Sequence, residues 1–271
     1  MPARIDAATL EARAVRLSSR AFAGAAKLRA LDLLVASLDL TTLEGTDTPA
    51  HVRSLCARAA HARVAAVCVY AAAVPVARQA LAGSGVRVAA VSTAFPSGLA
   101  PAASRAREAR ETVAMGAVEI DMVIDRSALL AGRYREVYDD VVRVREACGG
   151  ARLKVILEAG ELGSYVALRR ACDLALDAGA DFLKNATGKG VVPATPPIAV
   201  AMCEAIRDHA RRTGRGAGIK LAGGIGSVRS AFAYFAIVHG VLGDAWLVPD
   251  RFRIGASSLL DALTRARGAS A

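Results

Sequence analysis

"LKVILEAGELGSYVALRRACDLALDAGADFLKNATGKG", residues 153–190, holds two short apolar runs, "LKVILEA" and "DFLKNAT", on either side of a longer stretch with helical periodicity. A strand, a covering helix and a second strand make a parallel pair, since the chain must cross back before it pairs again. The same alternation extends in both directions through "LLVASLDL", "VAAVCVY", "VRVAAVST", "VEIDMVID", "GIKLAGG" and "FRIGASS". Between the runs lie helical segments such as "PAHVRSLCARAAHA", "YREVYDDVVRVREACGG" and "PIAVAMCEAIRDHARR", several opening after Thr, Ser or Pro and closing at Gly. Eight strand and helix units in about 240 residues predict a closed α/β (β/α)8 TIM barrel rather than an open sheet. Residues 1–30 are expected to form an N-terminal helical extension and residues 31–271 the barrel, with no linker or low-complexity break between them.

Strands of such a barrel are buried on both faces, and active sites lie at their C-terminal ends, so charged residues within strands require an explanation. Those that stand out are Asp39, Asp121, Lys154, Glu158, Lys184 and Lys220. Only five of the 35 basic residues are lysines, yet three of the five fall in strands. A guanidinium stays protonated, whereas an amine can lose its proton and attack a carbonyl, so the residue choice suits imine chemistry. An amine working near pH 7 must titrate roughly 3 units below its usual value of about 10.4, and both burial and a second ammonium push it that way. Strands six and seven are neighbours, which sets Lys184 beside Lys220, while Asp121 on strand four can exchange protons through a water. The alternative is a set of buried ion pairs that stitch the barrel. It is strongest for Lys154, with Glu158 expected on the same strand face, and for Asp39 and Glu158 a structural role stands level with a functional one.

Three loops share a phosphate-binding character: "TGKG" after strand six, "AGGIGS" after strand seven and "GASSLLDAL" after strand eight. Glycine lets backbone amides approach an anion, helix N-termini favour negative charge, and the last two loops of a barrel commonly hold phosphate. No segment satisfies GxGxxG, GxxxxGK[ST] or GxSxG, which disfavours dinucleotide, nucleoside triphosphate and serine hydrolase chemistry. The residues alone therefore suggest a Schiff-base enzyme acting on a small phosphorylated carbonyl compound.

The net charge of +10 comes almost entirely from arginines spread over helical stretches, without the interleaved aromatics of a base-stacking surface, so nucleic acid is not an expected partner. No apolar run approaches the roughly 20 residues of a membrane span, and the Ala- and Arg-rich segment before residue 28 patterns as an amphipathic helix more than a targeting peptide. The five cysteines form no CxxC pair and suggest reduced thiols in a cytoplasm. The four histidines lack zinc-binding spacing, so neither metal nor other cofactor is expected.

From about Leu31 to Leu263 the sequence resembles the deoxyribose-phosphate aldolase family of class I aldolases. The resemblance is carried, in order, by "LDLTTLEGTDT", "AAVCVY", "FPSG", "EIDMVIDRSALLAGRY", "LKVILEAGELG", "DFLKNATGKG", "GIKLAGGI" and "LGDAWLVPDRFRIGASSLL". It implies reversible cleavage of 2-deoxy-D-ribose 5-phosphate to D-glyceraldehyde 3-phosphate and acetaldehyde, without metal, in deoxynucleoside catabolism. Lys184 matches the imine-forming lysine, Lys220 the lysine that lowers its pKa, and Asp121 the acid that moves protons with water. Cys68 matches a cysteine near the site, and Asp39 and Lys154 match its supporting polar network. Substrate hydroxyl and phosphate contacts match Thr187, Gly188 and Lys189 after strand six, Gly223 and Gly224 after strand seven, and Gly255, Ser257 and Ser258 after strand eight. A homo-oligomer, most simply a dimer, is implied as well. Asn185 and Ala186 stand where the family usually has Thr-Ser, and Gly226 stands where an arginine is common. These departures keep open a related lysine-dependent aldolase with another aldehyde substrate, and a non-catalytic sugar-phosphate binding protein remains the alternative of a different class.

Overall fold

The computed structural model describes residues 6–190 and 192–269. Residues 1–5 of the expected extension and the last two residues of the expected barrel segment lie outside the described residues. Eight parallel strands close into a barrel in chain order: β1 (Leu38–Thr41), β2 (Ala66–Tyr70), β3 (Arg87–Ser92), β4 (Glu119–Val123), β5 (Arg152–Ile156), β6 (Phe182–Lys184), β7 (Gly218–Ala222) and β8 (Phe252–Ala256). Two helices, α1 (Ala7–Ser18) and α2 (Gly24–Ala36), precede β1. The others connect or follow the strands: α3 (Pro49–Ala62), α4 (Val74–Ala80), α5 (Ala102–Ala114), α6 (Arg126–Leu130), α7 (Tyr134–Ala147), α8 (Tyr165–Asp177), α9 (Pro196–Thr213), α10 (Val228–Leu242) and α11 (Leu259–Gly268). The sequence sets their starts. Thr48, Ser164, Thr195 and Ser227 each place a side-chain oxygen on an otherwise unpaired amide of the following first turn, and Pro49 and Pro196 occupy positions that need no amide.

Alternation along the strands sorts the core. Leu40, Val67, Ile120, Leu153, Leu183, Ile219 and Ile254 point outward and are buried under the helices. The opposite faces of β2 and β3 carry small apolar residues, Ala66, Cys68, Ala89 and Val91, which form a separate cluster. On β1 and on β4 to β8 that face carries ions instead, including Asp39, Glu119, Asp121, Lys154, Lys184, Lys220 and Arg253, all at most 2% exposed. A barrel interior is usually filled by branched aliphatics, so this one departs from the norm in a way that function must explain. The base of the barrel is closed by Asp250, whose Oδ1 accepts from Arg87 at 2.7 Å and Arg152 at 2.8 Å.

Two expectations from the sequence need correction. "LLVASLDL" is not one strand: Leu33–Ala36 form the end of α2, and only Leu38 onward is extended. Leu31 and Leu34 are buried at helical spacing, whereas Leu38 and Leu40 are buried at strand spacing, so the change of period falls at Ser37. "LKVILEA" likewise stops being a strand at Ile156, and Glu158 sits beyond it in left-handed conformation at φ 47°. Glu158 is therefore not a same-face partner of Lys154. The N-terminal helices cover the barrel's side, α1 against α9 and α10 and α2 against α11. Gly240 of α10 leaves room for Leu17, which a Cβ there would meet at 2.5 Å, and Phe22 stacks on Phe232 at 5.4 Å.

Candidate active site

The buried ions form one continuous lattice. Strand register sets Asp121 opposite Lys154 and Lys184 opposite Lys220. Asp121 is the hub: Oδ1 accepts from Lys154 Nζ at 2.7 Å, and Oδ2 accepts from Lys184 Nζ at 2.9 Å and Lys220 Nζ at 2.8 Å. Lys220 also reaches Asp39 Oδ2 at 2.6 Å, and Lys154 reaches Glu119 Oε2 at 2.7 Å. Below them Arg253 joins Asp39 at 2.5 Å to Glu119 at 2.8 Å, its guanidinium lying 5.6 Å from the centre of the Phe182 ring. Gly218 makes that stack possible, because a Cβ there would come within 2.3 Å of the ring. Cys68 Sγ lies 3.9 Å from Asp121 Oδ2.

Burial opposes every charge in the lattice, so the pairings decide which groups stay ionised. Burial raises the Asp121 carboxyl, but the ammonium groups of Lys154, Lys184 and Lys220 outweigh it and hold the carboxyl well below the usual range. Asp39 and Glu119 are held down by their own cations against the same penalty. Lys220 loses by burial yet is carried well above the ordinary lysine value by Asp121 and Asp39, and Lys154 is raised by Asp121 and Glu119. Lys184 behaves differently. Burial lowers its amine, Asp121 works upward, Lys220 pushes down again, and the balance lies below the ordinary value. Burial also raises the Cys68 thiol, which leaves it a neutral residue of the buried β2–β3 cluster rather than a nucleophile.

Lys184 and Lys220 open onto a pocket of about 340 Å³ at the C-terminal ends of the strands. Its walls are the loops after β1, β6, β7 and β8, so every loop singled out for phosphate contributes. Gly223 and Gly224 have φ of 91° and 72°, left-handed values that turn the backbone around the pocket. At Gly255 a Cβ would sit 3.1 Å from Ala222 Cβ and 3.2 Å from Lys220 Cε, so a larger residue would crowd the lysine stem. Ser257 and Ser258 face the pocket where α11 begins, and Ser258 makes no side-chain cap to that helix. Gly188 and Lys189 line the opposite wall. Thr187 lines it too, but its hydroxyl and amide both donate to Glu158 Oε2, and its Oγ1 accepts from the Lys189 amide at 3.1 Å. Glu158 thus braces the loop after β6.

Asn185 does not face the pocket. Its Nδ2 donates to Ala222 O at 2.9 Å and its Oδ1 accepts from Ala222 N at 2.7 Å, clamping the end of β6 to the end of β7. Sequence reasoning missed Glu119, Arg253 and Glu44. The first two lie two residues before Asp121 and Gly255 on the same strand faces, so the period-2 rule could have found them. Glu44, in the loop after β1, binds Lys189 Nζ at 2.8 Å across the pocket. Among the described residues no cluster of His, Cys, Asp or Glu could hold a metal ion.

Comparison with known proteins gives a consistent picture. The description "DeoC/LacD family aldolase" matches residues 30–264. The chain is 45% identical over 249 residues to the deoxyribose-phosphate aldolase of Mus musculus, covering 85% of this chain and 78% of that one. It is 43% identical to the Homo sapiens protein of the same name with the same coverage. Among solved structures, the tetrameric deoxyribose phosphate aldolase of Aeropyrum pernix superposes with a TM-score of 0.72 at 26% identity, over 90% of this chain and 97% of that one.

Proposed function

The chain belongs to the DeoC/LacD family of aldolases, and from that premise we propose that it cleaves 2-deoxy-D-ribose 5-phosphate reversibly to D-glyceraldehyde 3-phosphate and acetaldehyde, with Lys184 as the imine-forming lysine. The observation that carries the assignment is the position of Lys184, buried against Asp121 and Lys220 yet open to a pocket walled by the glycine and serine loops.

The Lys184 amine adds to the C1 aldehyde of the open-chain sugar, and loss of water leaves a protonated imine. Transfer of the C3 hydroxyl proton through a water to Asp121 lets the C2–C3 bond break, its electrons moving into the imine to give an enamine while C3 leaves as the new aldehyde. Return of a proton to C2 and hydrolysis of the imine release acetaldehyde and restore the amine. Lys220 stays charged beside Asp121 and keeps Lys184 from holding its own proton. Lys154 binds the hub carboxylate directly, and Asp39 holds Lys220 against it. The amides of Gly223, Gly224, Gly255 and Gly188 and the hydroxyls of Ser257 and Ser258 suit the phosphate, with Lys189 the adjacent cation and Thr187 ordering its loop.

Borohydride reduction in the presence of deoxyribose 5-phosphate, followed by peptide mass mapping, tests this reading. A stable adduct on Lys184 that is absent from Lys184→Met is expected, and absence of an adduct on any lysine of the folded protein would overturn it. Gly226 adds no cation to its loop and Lys189 is paired with Glu44, which favours as second reading a related lysine-dependent aldolase with another aldehyde. A panel of acceptor aldehydes separates the two. Assembly as a homo-oligomer belongs to the same proposal and is supported by the tetrameric Aeropyrum pernix relative. So does cytoplasmic residence, which the five buried free thiols support. No helix among the described residues is long and apolar enough to cross a membrane.

A further inference from the structure

We infer that Arg253 and Glu119, at the foot of the barrel interior, are positioning residues that keep Lys184 an unprotonated amine by fixing the charge count of the buried lattice. The inference rests on Lys184 being the imine lysine.

The lattice holds four bases, Lys154, Lys184, Lys220 and Arg253, against three carboxylates, Asp39, Glu119 and Asp121, and every one is at most 2% exposed. Fully protonated, the set carries one surplus positive charge with no partner, which a dry interior tolerates poorly. One base must give up its proton, and the contacts decide which. Arg253 bridges Asp39 and Glu119 and cannot deprotonate. Lys154 binds Glu119 and Asp121, and Lys220 binds Asp39 and Asp121. Lys184 alone touches a single carboxylate, Asp121, at 2.9 Å, and it shares that oxygen with Lys220. The surplus therefore falls on Lys184, the pocket-facing amine with the fewest carboxylate partners in the lattice.

No other buried group corrects the count. Cys68, across from Lys184 on β2, is a neutral thiol. Above Lys184 in the pocket, Lys189 and Glu44 neutralise each other at 2.8 Å. Glu158, from the loop after β5, turns its carboxylate to the amide and hydroxyl of Thr187 and forms no ion pair with the four lattice bases. Below, Arg87 on β3 approaches Glu119 at 3.8 Å, but it is a third exposed and shares Asp250 with Arg152 at the solvent edge. Arg253 itself is otherwise surrounded by the Phe182 ring and the Pro249 carbonyl.

The count makes opposite predictions for two residues that never touch substrate. Removing the Arg253 charge leaves three bases against three carboxylates, so Lys184 keeps its proton. Removing the Glu119 charge raises the surplus to two, so Lys184 releases its proton more readily. The experiment is the pH dependence of borohydride trapping by deoxyribose 5-phosphate at Lys184, with thermal melts to confirm folding. In Arg253→Met the acid limb moves upward by about one pH unit, the order expected for one buried charge, with roughly tenfold less adduct on that limb. Arg253→Lys restores the wild-type limb, and Glu119→Gln moves it downward. A limb that stays in place while adduct yield alone falls overturns the inference and makes both residues structural. Should Arg253→Met fail to fold, Glu119→Gln decides alone, and a limb unmoved or raised there overturns the inference. No adduct on Lys184 in the wild type overturns the imine reading and this inference together, whereas normal wild-type trapping with unmoved limbs sinks only the inference.

Discussion

Glu44 and Lys189 face each other across the pocket mouth, a carboxylate on the loop after β1 and an amine on the loop after β6. A phosphate that approaches Lys189 must displace Glu44, and exposed ion pairs are worth roughly 0.2–1 kcal/mol. Glu44→Gln should therefore raise kcat/KM for deoxyribose 5-phosphate about two- to fivefold at low salt, leave that for free deoxyribose unchanged, and lose its advantage as salt screens the pair. An equal change for both substrates would mean that Glu44 orders its loop and has no part in reading charge. This pair could not be read from the sequence, because it joins residues 145 positions apart in loops whose approach only barrel closure fixes. Lys184 and Lys220 stood out for a different reason: an amine inside a strand is conspicuous in a chain that otherwise uses arginine. The same abundance of arginine concealed Arg253, although "FRIG" sets it on the face of Gly255.

At the scale of single elements, the ends of the strands were least legible and hold most of the site's supports. "LLVASLDL" contains both a helix end and a strand, and short apolar runs do not separate the two by pattern. "LKVILEA" hid the departure of Glu158, whose left-handed backbone turns its carboxylate away from the strand face and toward Thr187. Asn185 belongs to the same class, a residue beside the imine lysine in sequence whose side chain works on the neighbouring strand. Asn185→Ala would leave both the amide and the carbonyl of buried Ala222 without this partner at the turn that leads into Gly223 and Gly224. It should cost about 2 kcal/mol in urea unfolding and raise KM for the phosphorylated sugar. An unchanged unfolding midpoint would show that β6 and β7 hold their ends together without the clamp.

For the whole molecule, the cost of building an ionic interior should appear as a stability that depends on pH. Asp39, Glu119 and Asp121 titrate below their ordinary values in the folded state, so their contribution is present above the unfolded value of about 4 and is lost as pH falls through the folded values. Each adds a slope of up to roughly 1.4 kcal/mol per pH unit where only the unfolded chain binds the proton. Buried thiols act at the other end. Cys56 and Cys148 are pushed up to about 11 by burial, and a group of that kind favours folding below its unfolded value of about 8.5 and less so as pH rises above it. Urea midpoints should then form a plateau between about pH 5 and 8 with a fall on each side. The acid arm has two possible sources, self-repulsion of a chain that already carries +10 at neutrality, and protonation of the lattice. Salt separates them, since about 0.5 M salt screens surface charges and leaves buried pairs nearly untouched. The lattice account requires the fall below about pH 4 to persist in that salt. An acid arm that salt removes would place the acid sensitivity on the arginine-rich surface, and that outcome or a flat midpoint down to about pH 3 would leave the interior carboxylates with no measurable part in holding the barrel closed.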